Sequence, residues 1–69
     1  MKKWSDKLIE LSEEYFNYSG TSVKSTKAEF GILNIDYDKN IYTIILHDSD
    51  IQYKFNSVNE MIQAGWAVD

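Results

Sequence analysis

Cysteine is absent from this chain of 69 residues, so neither a disulfide nor a thiolate-bound metal can hold its fold together. A chain of this length forms a single domain, residues 1–69, and buries only about 60% of the surface that it exposes when unfolded. Its stability must therefore come from side-chain packing. The hydrophobic fraction of 43%, with two tryptophans, five tyrosines and three phenylalanines, is sufficient for such a core.

The N-terminal segment has the period of an amphipathic helix. Apolar side chains recur every three or four residues, at Trp4, Leu8, Leu11, Tyr15 and Tyr18. Ser5 is suited to cap the first turn, and Gly20 follows where a left-handed residue commonly ends a helix. We therefore predict a helix over about residues 5–18 that buries this apolar face. The opposite face carries Glu10, Glu13, Glu14 and Asn17.

The middle of the chain is rich in β-branched and aromatic residues, which favour strands. Apolar runs at 30–35 and 41–46 are joined by a polar hairpin loop at 36–40. After a turn at 48–50, a third run alternates strictly between apolar and polar residues. We predict three strands in an antiparallel meander, in which Gly31 could mark a bulge. The preceding segment 19–27 is predicted to be a loop, with any strand confined to its end.

A short helix is predicted near the end of the chain. Residues 57–60 read Ser-Val-Asn-Glu, which has the spacing of a capping box, and Gly65 ends the helix. Its inner face is formed by Val58, Met61 and Ile62. Trp66 and Val68 then close one edge of the core. The predicted fold class is α+β, in the order α-β-β-β-α, with helices flanking a three-stranded antiparallel β-meander.

The charge of the chain limits the classes of partner that it can bind. Eleven acidic residues face seven basic ones, giving a net charge of −4, and every basic residue is a lysine. Without arginine the chain lacks the usual bidentate reader of phosphate and guanine, so we expect no direct binding to nucleic acid. An acidic surface favours a basic protein partner, although modest acidity also serves solubility alone. No segment approaches the roughly 18 apolar residues of a membrane span, so we expect a cytoplasmic protein with no membrane partner.

Two possible motifs, one for metal binding and one for catalysis, are each incomplete. Asp36-x-Asp38-x-Asn40 begins like a calcium loop, but Ile41 stands where the sharp turn needs glycine, and His47 replaces the bidentate glutamate. His47 beside Asp48 could orient a general base, yet no cysteine nucleophile or phosphate-cradling glycine loop accompanies the pair. We therefore expect no enzyme, no metal site and no cofactor.

The acidic side chains are more informative as a set. Seven of them fall into three groups: Glu10, Glu13 and Glu14 on the predicted helix, Asp36 and Asp38 in the hairpin loop, and Asp48 and Asp50 in the next turn. The two loops of a meander lie at opposite ends of its sheet, so we expect two acidic patches rather than one. A charged face is often only a solvated face, and that interpretation stays open beside a functional one.

Short strings across residues 13–66 are shared with a known family. Ser19-Gly20-Thr21 follows the first helix, 38–42 form an acidic hairpin, and Phe55 with Gly65-Trp66 accompanies the last helix. In these strings and in element order, the chain resembles the small acidic phage-encoded anti-CRISPR proteins, which inhibit the type II RNA-guided nuclease. This sequence departs from the family at Lys39, where the family has glycine, and at Ile41, where it has a second acid.

The resemblance implies a function by DNA mimicry. Such proteins occupy the surface that reads the protospacer-adjacent motif, where arginines that bind guanines can bind carboxylates instead. The implied partner is a protein with a basic nucleic-acid-binding surface, in the cytoplasm of a host bacterium. Glu13 or Glu14 and Asp38 are the acids whose positions correspond to the family. The full candidate set for partner binding is Glu10, Glu13, Glu14, Asp36, Asp38 and Asn40.

A second hypothesis relies on apolar surface. The chain would be a small protein–protein interaction module that docks through Tyr37, Tyr42 and Trp66 on another protein or on its own copy. Salt separates the two hypotheses, because a charge-driven complex weakens steeply as salt is added and an apolar one does not.

Overall fold

A computed structural model describes residues 4–69, which form two helices and one five-stranded antiparallel sheet. In chain order the elements are α1 (Asp6–Tyr15), β1 (Ser22–Ser25), β2 (Phe30–Asp36), β3 (Ile41–Leu46), β4 (Gln52–Phe55), α2 (Val58–Gln63) and β5 (Trp66–Val68). The predicted α+β class and the central β2–β3–β4 meander are confirmed. The prediction of three strands is wrong, because β1 and β5 extend the sheet to five.

The two additional strands lie side by side at one edge, since the strand order is β4-β3-β2-β1-β5. β1 falls inside the polar segment that was predicted as a loop. Its buried positions are Val23 and Ser25, so only one of them is apolar and the usual alternation is hidden. β5 has three residues and pairs with β1 from Val23–Val68 to Ser25–Trp66. Its pairing partner therefore lies more than forty positions away in the sequence.

The predicted bulge at Gly31 is also wrong. β2 and β3 pair without interruption from Gly31–Leu46 to Asp36–Ile41. Gly31 is buried, and a Cβ built there would lie 2.5 Å from the carbonyl oxygen of Ile45. Glycine is therefore needed because the neighbouring backbone approaches closely, which is the other common reason for glycine inside a strand.

The core lies on one face of the sheet, which we call the inner face. On β2 the burial alternates strictly: Leu33 and Ile35 are buried and their neighbours are exposed. The remaining buried members of the core are Phe16, Val23, Ile44, Met61 and Trp66. The opposite face, which we call the outer face, carries Phe30, Ile32 and Asn34 of β2.

The buried face of the first helix matches the prediction only in part, since Trp4 and Leu8 are half-buried. Phe16, directly after the helix, is fully buried, and Ser12 is buried one turn earlier. Leu11, Tyr15 and Tyr18 of the predicted inner face are instead exposed. The helix also ends at Tyr15 rather than at about residue 18. The apolar periodicity does not predict this face because Ser12, which lies at its centre, is polar.

Ser12 is buried because it completes the edge of the sheet. Its Oγ accepts a hydrogen bond from the backbone N–H of Val68 at 2.8 Å and donates to the carbonyl oxygen of Leu8 at 2.7 Å. Beside it, Nε1 of Trp4 donates to the carbonyl oxygen of Gly65 at 2.9 Å. Edge strands present unpaired backbone groups, and Ser12 of α1 pairs with one of those of β5, the N–H of Val68.

We expect Ser12→Ala to lower the free energy of unfolding by about 1–2 kcal/mol, because it leaves the part-buried N–H of Val68 without its hydrogen-bond partner. Chemical denaturation with urea measures the change. Ser22→Ala, at an exposed position of β1, is the matched control and should have almost no effect. Equal stability of the two variants would show that the hydrogen bond to Val68 contributes nothing.

The second helix forms where it is predicted, although Oε1 of Glu60 accepts from the N–H of Asn56 at 3.4 Å, one residue before the position that a capping box uses. Oγ of Ser57 accepts a hydrogen bond from the N–H of Glu60 at 3.1 Å, as an N-cap should. Met61 is buried, and Val58 and Ile62 pack against the core. Gly65 has a φ of 100°, the left-handed conformation that ends many helices. No helix within residues 4–69 is both long enough and apolar enough to cross a membrane.

Candidate functional site

The β2–β3 loop has a defined shape, which Asp36 imposes. Its Oδ1 accepts hydrogen bonds from the backbone N–H groups of Asp38 at 3.1 Å and Lys39 at 3.3 Å. A side chain that bonds to the backbone two and three residues ahead stabilises a turn. Asn40 completes the loop with a φ of 55°, which asparagine tolerates better than most residues. Asp38 is thereby held, exposed, in the ordered loop.

Tyr37 joins this loop to the end of the first helix. Its hydroxyl accepts a hydrogen bond from the N–H of Ser19 and donates one to the carbonyl oxygen of Asn17, both at 3.1 Å. Oγ of Ser19 in turn accepts from the N–H of Ile35 at 3.0 Å. The segment after α1 is therefore fixed against the β2–β3 hairpin, and the C-terminal end of the helix lies at the same end of the molecule as the loop.

Four carboxylates lie on the two segments joined here, the last turn of α1 and the loop, which we call the acidic end: Glu13, Glu14, Asp36 and Asp38. All four are exposed. Of the other predicted binding residues, Glu10 is exposed one turn earlier on α1, and Asn40 is exposed in the loop. A hollow of about 490 Å³ beside the loop is lined by Asp36, Tyr37 and Asp38, together with Asn34, Ile35 and Thr43.

The third group of acids in the sequence, which is not part of the predicted binding set, lies elsewhere. Asp48 and Asp50 are exposed in the β3–β4 turn, at the far end of β3 from the loop with Asp36. His47 is exposed at the start of the same turn, and its backbone N–H donates to the carbonyl oxygen of Phe30 at 3.0 Å. Within residues 4–69, no group of three or more histidine or acidic side chains is arranged to hold a metal ion.

The predicted apolar docking set does not form a surface. Trp66 is only 3% exposed and belongs to the core, and Tyr42 is half-buried against the same core. Only Tyr37 of the three is freely exposed. Three other exposed apolar side chains lie together on the outer face of the sheet. Phe30, Ile32 and Ile45 are 49%, 39% and 36% exposed, and Ile32 pairs directly with Ile45 across β2 and β3.

A second group of polar side chains lies at the opposite end of β2 from the acidic end. Glu29 accepts a hydrogen bond from the hydroxyl of Tyr53 at 3.0 Å and another from the hydroxyl of Ser25 at 3.3 Å. The ring of Tyr53 contacts that of Trp66, with centroids 5.8 Å apart and planes tilted by 51°. Sequence reasoning assigned no role to Glu29, because its partners are 4 and 24 residues away.

The hydrogen bond to Glu29, together with burial and the charge of that carboxylate, raises the pKa of Tyr53 above its ordinary value of 10.0. The pKa of Tyr53 is higher in the folded state than in the unfolded state, so the protonated hydroxyl stabilises the fold. This stabilisation is fully present below pH 10.0 and is lost as the pH rises through the folded-state pKa of Tyr53.

We therefore expect the difference in unfolding free energy between the parent and Tyr53→Phe to shrink on alkaline titration. Urea denaturation across the alkaline range measures it. Glu29→Gln should return the Tyr53 pKa towards its ordinary value, which absorbance near 295 nm reports. A parent and a Tyr53→Phe variant with parallel stability profiles at every pH would contradict the assignment.

Comparison with protein families, with curated proteins and with solved structures finds no match to this chain.

Proposed function

We propose that this chain is a non-enzymatic inhibitor that binds the basic nucleic-acid-binding surface of another protein through its acidic end. The proposed partner is the type II CRISPR effector nuclease, which would make the chain an anti-CRISPR protein acting by DNA mimicry. One observation carries the proposal. The Tyr37 hydroxyl joins the segment that follows α1 to the β2–β3 loop, and two exposed carboxylates lie on the last turn of α1 and two in the loop.

The chemistry of the acidic end suits a basic groove. Carboxylates accept charge-assisted, often bidentate, hydrogen bonds from arginine, which is the group that reads guanine in the protospacer-adjacent motif. Lys39 is the single lysine in the loop 36–40, and none lies between Leu8 and Gly20. The acidic end therefore offers a partner several negative charges and few of its own cations, much as a short stretch of phosphates does.

Asp36 and Asp38 have different roles in this proposal. Asp36 uses Oδ1 to hold the loop, so its main contribution is to position Asp38. Asp38 is the acid that would contact the partner. Asp36→Asn keeps a side-chain oxygen for the loop and removes only the charge, whereas Asp36→Ala removes both. We expect Asp36→Ala to impair binding more than Asp36→Asn.

The test is competition between the protein and duplex DNA carrying the protospacer-adjacent motif, for purified guide-loaded nuclease. We expect the parent to compete at low salt. Asp38→Asn and the Glu13→Gln/Glu14→Gln double variant should each weaken competition about tenfold or more, since breaking a desolvated charge pair costs several kcal/mol. His47→Ala should compete like the parent.

The matched control is the Asp48→Asn/Asp50→Asn double variant. It removes two negative charges, as the glutamate double variant does, but at the other end of the molecule. If both double variants compete equally, net charge rather than the acidic end determines binding. If the parent fails to compete at low salt, this nuclease is not the target. If Asp38→Asn competes as strongly as the parent, DNA mimicry through Asp38 is not the mechanism.

A second candidate function is a protein–protein interaction module that uses the outer face. The observation in its favour is the run of exposed Phe30, Ile32 and Ile45 on two adjacent strands. Monomeric proteins rarely expose large contiguous apolar patches without a use for them. The Phe30→Ser/Ile45→Thr double variant separates the two functions, because it should leave a charge-driven complex intact and abolish an apolar one. The affinity of an apolar complex should also resist added salt.

A further inference from the structure

A small pocket opens between the β1–β2 turn, β4 and the segment that follows α2. Its volume is about 230 Å³. Ligand pockets for drug-sized molecules usually span about 300–1,000 Å³, so this one suits a single side-chain-sized group. Its walls include the aromatic rings of Tyr53, Phe55 and Trp66, and its polar side chains are Ser25, Lys27 and Glu29.

The carboxylate of Glu29 is held in this pocket by two hydroxyl groups. Oε2 accepts from Tyr53 at 3.0 Å, and Oε1 accepts from Ser25 at 3.3 Å. Oγ of Ser25 also accepts from the N–H groups of Lys27 at 3.1 Å and Glu29 at 3.3 Å, which fixes the turn that carries the carboxylate. Each carboxylate oxygen has a second lone pair, so both can accept a further donor.

A fixed carboxylate beside aromatic rings is an arrangement that attracts organic cations. The carboxylate supplies charge-assisted hydrogen bonds, and the negatively polarised faces of aromatic rings attract the same cation. A neutral ligand of similar shape would gain only the apolar contact. We infer that the pocket binds one guanidinium or alkylammonium group, supplied either by a free amine or by an arginine or lysine side chain of a protein.

The site is independent of the function proposed above. Glu29 lies just before β2 and the loop with Asp38 lies just after it, so the two sites lie at opposite ends of this strand. Either can fail experimentally without affecting the other. A purely structural brace between Glu29, Ser25 and Tyr53 is the competing explanation. Such a brace needs no charge, and a glutamine at position 29 would still accept from Tyr53 with its one side-chain oxygen, whereas cation binding needs the charge.

The direct test is an NMR titration of the 15N-labelled protein with ethylguanidinium chloride at constant ionic strength. We expect saturable shifts centred on the indole N–H of Trp66 and on the amides of 25–29 and 53–55. N-ethylurea, which matches the probe in shape but is neutral, should give no saturable shift at these positions. Equal shifts with the two probes would overturn the inference.

Two substitutions at the pocket should act in opposite directions. Glu29→Gln keeps an acceptor oxygen for Tyr53 and should weaken probe binding about tenfold or more. Lys27→Gln removes a like charge from the pocket and should tighten binding about twofold. Glu13→Gln removes the same charge as Glu29→Gln but at the acidic end, and should bind the probe like the parent.

The second variant keeps the inference testable if the first variant misfolds. If the amide spectrum of Glu29→Gln loses its dispersion, the Lys27→Gln variant decides, and an unchanged or weaker affinity there contradicts a cation site. The source of the cation is resolved by comparing agmatine with an arginine residue capped at both ends. Preference for agmatine indicates a free amine, preference for the capped residue indicates a protein side chain, and binding of neither overturns the inference.

Discussion

Trp66→Ala is expected to be largely unfolded at room temperature, although position 66 lies close to the last residue of the sequence. Trp66 is buried in the core and its ring contacts that of Tyr53. Truncating a buried aromatic residue typically costs about 3–5 kcal/mol. A chain of 69 residues has a total stability of about 3–10 kcal/mol. The loss is therefore comparable with the whole, and far-ultraviolet circular dichroism should show it.

The control for this experiment is Tyr18→Ala, which removes an aromatic side chain that is exposed. It should melt within a few degrees of the parent. Trp66→Phe is a useful third variant, because it keeps an aromatic ring against Tyr53 and should retain much of the folded signal. A Trp66→Ala variant that melts like Tyr18→Ala would show that the stability of the core does not depend on Trp66 of β5.

The second large effect concerns two adjacent residues at the end of α1. Phe16→Ala should lower the free energy of unfolding by about 3–5 kcal/mol, because Phe16 is fully buried and its removal leaves a cavity. Tyr15→Ala should lower it by less than about 1 kcal/mol, because Tyr15 is 47% exposed. Urea denaturation of both variants measures the difference.

This pair tests which face of the first helix is buried. The apolar periodicity of the sequence places Tyr15 inside and leaves Phe16 off the buried face, which is the reverse of the structure. A larger loss for Tyr15→Ala than for Phe16→Ala would restore the sequence-based assignment. It would also contradict the burial of Ser12, which lies one helical turn before Phe16 on the same face.

The parts of the fold that sequence reasoning predicts are those in which neighbouring residues carry the signal. The strands β2 to β4 have β-branched residues and recognisable turns, and α2 has a serine cap and a terminal glycine. The strands β1 and β5 depend on each other instead. β1 has a single buried apolar residue, Val23, and β5 is too short to show a period. Their pairing is a tertiary contact that no local pattern encodes.

The candidate site is likewise only partly predictable from the sequence. The exposed acids and the hairpin loop follow from the sequence, because charged side chains and turn residues are recognisable one at a time. Their arrangement depends on the Tyr37 hydroxyl, which reaches Asn17 and Ser19 across about twenty positions. Glu29 was missed for the same reason, since its contact with Tyr53 spans 24 positions.

The contacts between segment 4–12 and segment 65–68 have a consequence for the order of folding. The Ser12–Val68 and Trp4–Gly65 hydrogen bonds span 56 and 61 positions, so each closes a loop almost as long as the chain. The hairpins β2–β3 and β3–β4 close only short loops, and local contacts form faster than distant ones. The meander is therefore expected to form first, with the two terminal segments docking late as one cooperative unit. In native-state hydrogen exchange, the amides of α1 and β5 should open together and at lower cost than those of β3.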